Sequence, residues 1–592
     1  MKDFLKYTLA TITGIFLSSI LLFFLSTIFL FALLSSSDTE VIIKDNSILR
    51  LKLEGDLKDR ILTDNSFLSI MGKEQKSYGL EDILHAIKKA KEEDKIKGIF
   101  IDAGMLNTYY ASLWEIREAL EDFKESGKFI ISYADYYTQG LYYLSSVSDK
   151  VVVNPSGKVF CQGLASNPRY YKDLLSKIGV EMQIFKVGTY KSAVEPFMSN
   201  EMSAENREQL TVLLGNTWNN LLSSISEDRN ISIDSLNILA DEMLMLQPIE
   251  KALAANMVDT LLYKSEIDVL LNEQLGADPD KKLNFIDVDA MTKVKDNTPK
   301  DKSGNVIAVY YASGDIVDQD AGFSLQSTSQ IVGSKVVKDL KKIEENKSIK
   351  AVVFRVNSPG GSAYASEQIW KAIKDLKKKK PVIVSMGDYA ASGGYYISSA
   401  ADTILAAPTT LTGSIGIFGM YPNAEELAKK LGVSIGSVKT NNFSDFGVLG
   451  RGLNRDEQAL MQLNVNRGYD LFLQRCAEGR KTTTEEIHKI AEGRVWTGEM
   501  AKELNLVDGI GGIKDAVKLA AEKAEIEAYT LTSYPAKENM LNMLLKSANS
   551  SVLKTLINQD PFVQFYSPVY LMNDLLNGSY IQARMPFDLD IQ

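Results

Sequence analysis

The stretch SMGDYAASGGYYISSAADTILAAP at residues 385–408 decides the fold, because residues 132–155 carry a diverged copy of it, SYADYYTQGLYYLSSVSDKVVVNP. The same offset of 253 residues pairs IKGIFIDAG, which begins at Ile96, with IKAVVFRVN, which begins at Ile349. Self-similarity at one fixed offset is the signature of a repeated structural unit. The chain of 592 residues is therefore predicted to be an internal duplication.

Each half alternates short apolar strands with amphipathic helical segments. In the second half, AVVFRV precedes a helical pattern over 363–379, and the strands PVIVSM and TILAAP follow it. This alternation predicts a parallel α/β architecture. A polar stretch at 293–305, KVKDNTPKDKSGN, has the composition of a linker. The predicted units are an anchor at 1–37, a first repeat at 38–298, a second repeat at 299–537 and a tail at 538–592 that no motif places.

The composition is that of a packed globular protein, and it excludes several classes of function. Hydrophobic residues make up 45% of the chain and charged residues 24%, which rules out wholesale disorder. A net charge of -10 argues against nucleic acid as a partner, because such binding needs a basic surface. Two Cys and two His are too few for a disulfide framework or a multi-histidine metal centre. The base of a hydrolase is therefore expected to be a residue other than histidine.

The N-terminus has the pattern of a membrane anchor. Residues 7–37 hold no charge and are rich in Leu, Phe and Ile, and about 20 apolar residues suffice to cross a bilayer. Lys2 and Lys6 precede this run while Asp38 and Glu40 follow it, so the positive-inside rule places the body outside the cytoplasm. A cleaved signal peptide is the alternative, although its apolar region usually has about 7–15 residues. The pattern predicts a single-pass protein of the bacterial inner membrane with its body on the periplasmic side.

The two copies differ where chemistry would take place. The second copy follows its strand AVVFRV with NSPGGS at 357–362, whereas the first copy has lost these glycines. Glycines after a strand let backbone amides approach a bound group closely. The second copy also has Ser392 at a sharp strand-to-helix turn, where the first copy has Gln139. Ser392 is the candidate nucleophile, and a small residue tolerated in a tight helix start is the alternative.

A serine hydroxyl needs a base, and the candidate lies in the other half. The 253-residue offset pairs Lys191 in the first copy with Ser444 in the second. The base thus survives only in the first copy and the nucleophile only in the second, which indicates one composite site across the halves. Lysine acts as a base near neutral pH only when burial lowers its pKa. A solvated surface lysine is the alternative for Lys191, and Lys186 is the second candidate base.

Three further motifs are TGSIGIFG at 412–419, GTYKSAVEPF at 188–197 and WTGEMAKELNLVDGIGG at 496–512. Together with NSPGGS and SMGDYAASGGYY, they resemble the motifs of the signal peptide peptidase A (protease IV) family in its long, two-repeat form. The resemblance covers nearly the whole chain and implies tandem duplicated domains with a fold like that of the crotonases and ClpP. It also implies a membrane-anchored serine endopeptidase that assembles as a homotetramer and degrades hydrophobic signal peptides left after secretion.

The resemblance also assigns roles to individual residues. It implies Ser392 as nucleophile, Lys191 as general base and Ser414 as the hydroxyl that orients the lysine. No metal, nucleotide or other cofactor is expected. The implied oxyanion hole consists of backbone amides near Gly360, Gly361 and Gly393.

Two functions of other classes remain as alternatives. A crotonase-like acyl-CoA enzyme would use the same paired amides on a thioester enolate, although export would separate it from cytoplasmic coenzyme A. A catalytically inactive membrane scaffold would bind peptides without cutting them. Retention of one candidate catalytic residue in each half argues against the scaffold.

Overall fold

The structure, a computed structural model, describes residues 2–35, 41–62, 77–295, 303–319, 330–448, 450–537 and 581–585. The middle of the predicted linker at 293–305 and most of the predicted tail at 538–592 lie outside these residues. Helix α1 (Lys2–Ser35) covers most of the predicted anchor. Over the residues searched, no helix is both long and apolar enough to cross a membrane.

Over its described residues, the first half continues with eight strands and ten more helices. The strands are β1 (Ser47–Lys58), β2 (Ser77–Gly79), β3 (Ile96–Asn107), β4 (Phe129–Tyr137), β5 (Lys150–Val159), β6 (Glu181–Lys186), β7 (Thr260–Leu261) and β8 (Asn284–Asp287). The helices are α2 (Leu80–Glu92), α3 (Tyr110–Lys124), α4 (Gln139–Ser145), α5 (Lys172–Ile178), α6 (Glu195–Met198), α7 (Ala204–Arg229), α8 (Ile233–Asp241), α9 (Glu250–Ala254), α10 (Ile267–Gln274) and α11 (Val288–Thr292).

The described part of the second half contains thirteen strands and eight helices. The strands are β9 (Val306–Ser313), β10 (Asp315–Val317), β11 (Gln330–Val332), β12 (Ile349–Ser358), β13 (Gly360–Ser362), β14 (Val382–Ala391), β15 (Thr403–Ala406), β16 (Leu411–Gly413), β17 (Phe418–Asn423), β18 (Val495–Thr497), β19 (Gly509–Ile510), β20 (Thr530–Tyr534) and β21 (Ile581–Arg584). The helices are α12 (Gly333–Glu345), α13 (Ala363–Leu376), α14 (Gly393–Ser398), α15 (Glu425–Lys430), α16 (Arg455–Arg480), α17 (Thr484–Ile490), α18 (Gly498–Glu503) and α19 (Ile513–Lys523).

Each half builds its own sheet. The first has the order β2-β1-β3-β4-β5-β7 with β8 also on β1, and all of its pairings are parallel. The second has the order β18-β16-β14-β12-β9-β20, with β15 also paired with β14 and β19 paired with β15. Strands β3 and β12 begin 253 residues apart, as do β4 and β14. The duplication predicted from the sequence is confirmed at the level of individual strands.

The central strands are buried on both faces, which explains their continuous apolar runs. Val352, Val353 and Phe354 of β12 have no exposed surface. Helix α13 ends at Leu376, three residues before the end of the predicted helical pattern, and Lys377 begins the turn that leads to β14. The apolar side chains on each sheet and its helices form a separate core for each half.

A third, mixed sheet connects the two halves and positions the candidate site. Its order is β11-β10-β13-β21-β17-β6. Strand β6 belongs to the first half in sequence but pairs antiparallel with β17 of the second half, with Lys186 opposite Phe418. The first half thereby extends its chain across the second half immediately before Lys191.

A buried cluster of charges also connects the halves. The Arg355 guanidinium on β12 has no exposed surface, and it lies 2.8 Å from Asp59 and 2.6 Å from Glu115 of the first half. Nearby, Asp388 on β14 accepts hydrogen bonds from the backbone and the hydroxyl of Ser112, both at 2.8 Å. Buried charges are tolerated only when they are paired with good geometry, so this cluster holds the halves in one relative position.

Candidate active site

Lys191 of the first half meets Ser392 of the second half inside the protein. Lys191 Nζ lies 2.9 Å from Ser392 Oγ and 3.0 Å from Ser414 Oγ, and it donates to the Ser414 carbonyl oxygen at 3.2 Å. All three residues have no exposed surface. The structure therefore brings together the three side chains that the sequence predicted, across 201 and 223 residues of chain.

The chain between β6 and Lys191 is held against the second half by its backbone. The Val187 N–H donates to Ile417 O at 3.1 Å, and the Tyr190 N–H donates to Glu492 O at 2.9 Å. Gly493 has a φ of +82° and packs so closely that a Cβ there would lie 2.6 Å from Lys191 Cβ. The second candidate base, Lys186, is the last residue of β6. It is half-buried and lies opposite Phe418 of β17.

Burial sets the protonation of Lys191. Its side chain is fully desolvated, and this desolvation lowers the pKa of the ammonium well below its usual value of 10.5. Its two serine neighbours supply hydroxyl groups rather than a negative charge. A buried amine without a carboxylate partner favours the neutral form, which is the form that can accept a proton.

Ser392 occupies the turn between β14 and α14 in a conformation that is uncommon for a residue with a side chain. Its φ is +54° and its ψ is -114°, and its N–H donates to Gly413 O at 2.8 Å. Ser414 also has a positive φ, +50°, and its N–H donates to Arg494 O at 2.7 Å. Such conformations cost about 1–3 kcal/mol each and persist where the surrounding structure imposes them.

Of the three glycines predicted for the oxyanion hole, Gly393 directly follows Ser392 and Gly360 packs against Gly393. Gly360 has a φ of +108°, and a Cβ there would lie 2.8 Å from the backbone nitrogen of Gly393. Gly361 has a φ of +148°. The Gly360 N–H donates to Ser358 Oγ at 3.1 Å. Gly360 therefore provides space beside Gly393, while its own amide is engaged by Ser358.

Polar residues that connect the segment after Lys191 to helix α7 were not predicted from the sequence. Ser192 donates to Asn206 Oδ1 at 2.9 Å, and Asn206 donates to Glu195 Oε2 at 2.9 Å. Ser203, which caps helix α7, also donates to Glu195. Ser192 and Glu195 both lie in the motif GTYKSAVEPF, and this motif is the sequence feature that could have identified them. These polar groups connect the loop to α7 and keep the Lys191 backbone in place.

The profile of peptidase family S49 matches residues 122–277 and 374–527, more than half of the chain and once in each half. The chain belongs to peptidase family S49. The Clp protease profile matches residues 310–411, which include β12, β14 and Ser392. This S49 peptidase is therefore a serine peptidase with a duplicated, ClpP-like α/β fold, and the acyl-CoA enzyme considered from the sequence is not supported.

Relatives of this S49 peptidase are named as proteases or peptidases. Protease 4 of Haemophilus influenzae is 37% identical over 505 residues, which cover 82% of this chain and 81% of that protein. Serine protease SPPA of the Arabidopsis thaliana chloroplast is 31% identical over 517 residues, covering 86% and 74%. A putative signal peptide peptidase SppA of Enterococcus faecium is 32% identical over 243 residues, covering 41% and 71%. The resemblance seen in the motifs is confirmed.

Proposed function

We propose that this S49 peptidase cuts peptide bonds with Ser392 as nucleophile, Lys191 as general base and Ser414 as the residue that orients the lysine. The observation that carries the proposal is the 2.9 Å distance between Lys191 Nζ and Ser392 Oγ at a site with no exposed surface. Nucleophilic catalysis requires a nucleophile and a base within hydrogen-bond reach, with a third group that holds the base in place.

The reaction follows from this arrangement. Neutral Lys191 accepts the hydroxyl proton as Ser392 Oγ attacks the peptide carbonyl carbon. The resulting lysinium donates that proton to the leaving amine as the C–N bond breaks. Water then attacks the acyl-enzyme, and Lys191 passes the water proton back to Ser392 Oγ.

Backbone amides would stabilise the negative charge that develops on the carbonyl oxygen. Because the Gly360 amide donates to Ser358, we assign the oxyanion hole to the amides of Gly361 and Gly393. Gly360 contributes by leaving room, since a side chain there would fill the space beside Gly393 N. Removing one such donor in a serine protease typically costs about 10²–10³ in kcat.

The proposed substrates are hydrophobic signal peptides left in the membrane after secretion. Residues 7–37 carry no charge, and Lys2 and Lys6 on one side with Asp38 and Glu40 on the other favour a single-pass anchor with the body on the periplasmic side of the inner membrane. The name of the Enterococcus relative supports the same substrate class. We also propose that four copies assemble on the membrane.

The test of catalysis is cleavage of a fluorogenic, hydrophobic peptide by the detergent-purified protein. Wild type is expected to cut it and Ser392→Ala is not. Ser399→Ala is the matched control, because Ser399 is also buried, just beyond helix α14, and its hydroxyl donates to the Tyr396 carbonyl rather than contacting Lys191. Equal activity of Ser392→Ala and Ser399→Ala would reject the assignment.

The anchor and the assembly have separate tests. Full-length protein is expected to stay in carbonate-washed membranes, and a variant lacking residues 2–37 is expected to be released. Light scattering of the detergent-purified protein is expected to give the mass of four 65.6 kDa chains after subtraction of detergent. Release of the full-length chain, or a monomer mass, would reject the corresponding proposal.

A further inference from the structure

Strand β18 and the residue before it hold the backbone of both serines of the proposed site. Val495, the first residue of β18, stands opposite Gly413 of β16 in an antiparallel pairing. The Ser414 N–H donates to Arg494 O at 2.7 Å, and the Ser392 N–H donates to Gly413 O at 2.8 Å. A shift of β18 would therefore displace Ser414 directly and Ser392 through Gly413.

The backbone N–H of Val495 points away from β16. In an antiparallel ladder, residues directly opposite each other alternate between hydrogen-bonded and non-hydrogen-bonded pairs. The bond from the Ser414 N–H to Arg494 O lies one residue beyond the pair of Gly413 and Val495, so this pair is non-hydrogen-bonded. Val495 is only 1% exposed, so its outward N–H is closed to bulk water. A buried N–H without an acceptor is costly, and β18, at the end of its sheet order, needs a partner on this side.

Gln209 of the first half supplies the acceptor. It is buried on helix α7, and its Oε1 accepts the Val495 N–H at 2.7 Å. Its Nε2 makes a longer contact of 3.4 Å to Asn206 Oδ1. Asn206 Oδ1 also accepts from the hydroxyl of Ser192, the residue after Lys191. One glutamine side chain thus connects the strand that holds the serines with the segment that carries the base.

Helix α7 contacts the other end of β18 through a second amide side chain. Thr497 Oγ1 donates to Asn216 Oδ1 at 2.7 Å, and Asn216 Nδ2 donates to Glu499 Oε2 at 2.8 Å. Two helical turns separate Gln209 from Asn216, so both lie on one face of α7. The helix therefore satisfies the edge of β18 with side chains, where a further strand would use its backbone.

We propose that Gln209 is a positioning residue for catalysis, which fixes β18 from the first half and thereby keeps Ser392 and Ser414 aligned with Lys191. Asn216 supports the same strand from its other end. The inference rests on the proposed function, since it takes these two serines and the lysine as the reacting and orienting groups. The first half then supplies both the base and the support that aligns the serines with it. Alignment matters because a misplacement of about 1 Å can cost about 10²-fold in rate.

An ordinary stabilising bond between the halves is the alternative role for Gln209. Its loss would lower the free energy of unfolding but leave kcat of the folded protein unchanged. A positioning role predicts a lower kcat with a similar KM, because the reacting groups are displaced. It also predicts a shifted pH profile. Gly493, two residues before Val495, packs against Lys191, so looser packing there admits water and raises the pKa of Lys191 toward its ordinary value.

The kinetic test compares Gln209→Met with Tyr142→Phe in the full-length, detergent-purified protein. Methionine has a similar length but lacks the amide oxygen. Tyr142→Phe is the matched control, because the buried Tyr142 hydroxyl donates to Met257 O at 2.8 Å inside the first half. With a fluorogenic hydrophobic peptide, Gln209→Met is expected to have a kcat about 10–10²-fold below wild type and a KM within about twofold of it.

The pH profile of kcat is measured for the same proteins. Its rise is expected to move to higher pH in Gln209→Met and to stay in place in Tyr142→Phe. Equal kcat values for the two folded variants, or an unshifted profile in Gln209→Met, would overturn the positioning role and leave an ordinary stabilising bond.

Hydrogen exchange tests the support of β18 without any cleavage. Each variant is combined with Ser392→Ala, and exchange is followed by mass spectrometry over 411–416 and 492–497. Exchange is expected to rise with Gln209→Met and to stay unchanged with Tyr142→Phe. Asn216→Ala, at a half-buried position, is the second variant if Gln209→Met does not fold, and it is expected to give a smaller rise in exchange and a smaller loss of kcat. Unchanged exchange or unchanged kcat in the folded variant would overturn the proposal.

The two measurements separate this inference from the proposed function. If exchange responds as expected but no form of the protein cuts any peptide, the peptidase roles of Ser392 and Lys191 fail while the support of β18 by α7 stands. If wild type and Gln209→Met cut peptides at the same rate, the peptidase assignment stands and the positioning role is rejected.

Discussion

The same turn exists twice in this molecule, and only one copy keeps a strained serine. In the second half, Ser392 has a φ of +54° and contacts Lys191. In the first half the equivalent residue is Gln139, the first residue of α4, and it is not among the described non-glycine residues with a positive φ. Gln139 Oε1 accepts hydrogen bonds from the backbone amides of Gln162 and Gly163, both at 3.1 Å. In the first half, a glutamine side chain thus accepts hydrogen bonds from backbone amides at the position where the second half has its candidate nucleophile. The strained backbone conformation occurs only in the copy that carries the candidate nucleophile.

A second pair of equivalent residues shows the same divergence. Asp135 in the first half is exposed and accepts a hydrogen bond from Tyr133. Its counterpart Asp388 is buried between the halves, and this burial raises the pKa of its carboxyl above the usual value. Identical residue types therefore have different electrostatic environments, because one copy faces solvent and the other faces its partner half.

The largest effect is expected from making the second half like the first. Ser392→Gln removes the nucleophile and fills the turn, so kcat is expected to fall by about 10⁴-fold or more, measured by peptide cleavage. The reciprocal change, Gln139→Ser, is expected to leave activity near that of wild type, because the second half has Ser444 rather than a lysine at the position that matches Lys191. Cleavage that survives Ser392→Gln, or that is transferred to the first half by Gln139→Ser in that background, would contradict the composite site.

The next effect concerns the base that the first half contributes. Lys191→Met is expected to lower kcat by about 10²–10⁴-fold, the usual contribution of a general base. Lys186→Met is the control and is expected to retain activity. In wild type, activity is expected to rise with pH through the lowered pKa of Lys191, since the neutral amine is the base. Rates of wild type that do not change between pH 6 and 10 would contradict this assignment.

The same lysine has a predictable effect on stability. Its pKa is lowered in the folded protein, so the unfolded chain binds the proton more tightly below 10.5. Wild-type stability is therefore expected to rise with pH from the folded pKa up to about 10.5, the usual value for a free lysine. Lys191→Met is expected to have the higher Tm at pH 7, with the difference shrinking toward pH 10.5. A pH-independent difference in Tm would show that desolvation of the charge is not the cause.

The charge cluster between the halves tests how far the site depends on their relative position. Arg355→Met leaves Asp59 and Glu115 buried without their cation, and breaking such a group typically costs about 3–5 kcal/mol. Arg117→Met is the control, because Arg117 is also buried but pairs with Asp228 inside the first half. Both variants are expected to unfold at lower denaturant concentration, and only Arg355→Met is expected to lose activity while still folded. Equal activity of the two folded variants would contradict a role of the cluster in positioning.

The smallest expected effect on kcat comes from Gly493, which packs against Lys191. A matched glycine separates this contact from the effect of backbone strain. Gly493→Ala places a Cβ within 2.7 Å of the Lys191 backbone, whereas Gly432→Ala, at a similar positive φ, meets nothing within 4 Å. Both substitutions are expected to cost about 1–3 kcal/mol through the backbone conformation. Only Gly493→Ala is expected to reduce kcat as well, by displacing Lys191. A similar kcat for both variants would show that the loop tolerates the displacement.

Much of the site could be predicted from the sequence because the two copies of the repeat can be compared residue by residue. The constant offset of 253 residues revealed that Ser392 and Lys191 survive in opposite halves, and the structure places them 2.9 Å apart. The offset could not show that the Gly360 amide is taken by Ser358, because hydrogen-bond partners depend on local backbone conformation. It also could not place β21, since residues 581–585 have no counterpart in the first half.

The sequence by itself determined the duplication, the parallel α/β class and the identity of the two candidate catalytic residues, because periodicity and loss of motifs are properties of the chain. Only the tertiary structure decided that β6 pairs with β17, that Arg355 pairs with acids of the other half and that β21 lies between β13 and β17. Strand pairing and burial depend on contacts between residues hundreds of positions apart, and no local pattern encodes them. The lowered pKa of Lys191 is of this second kind, because desolvation arises only when both halves close around it.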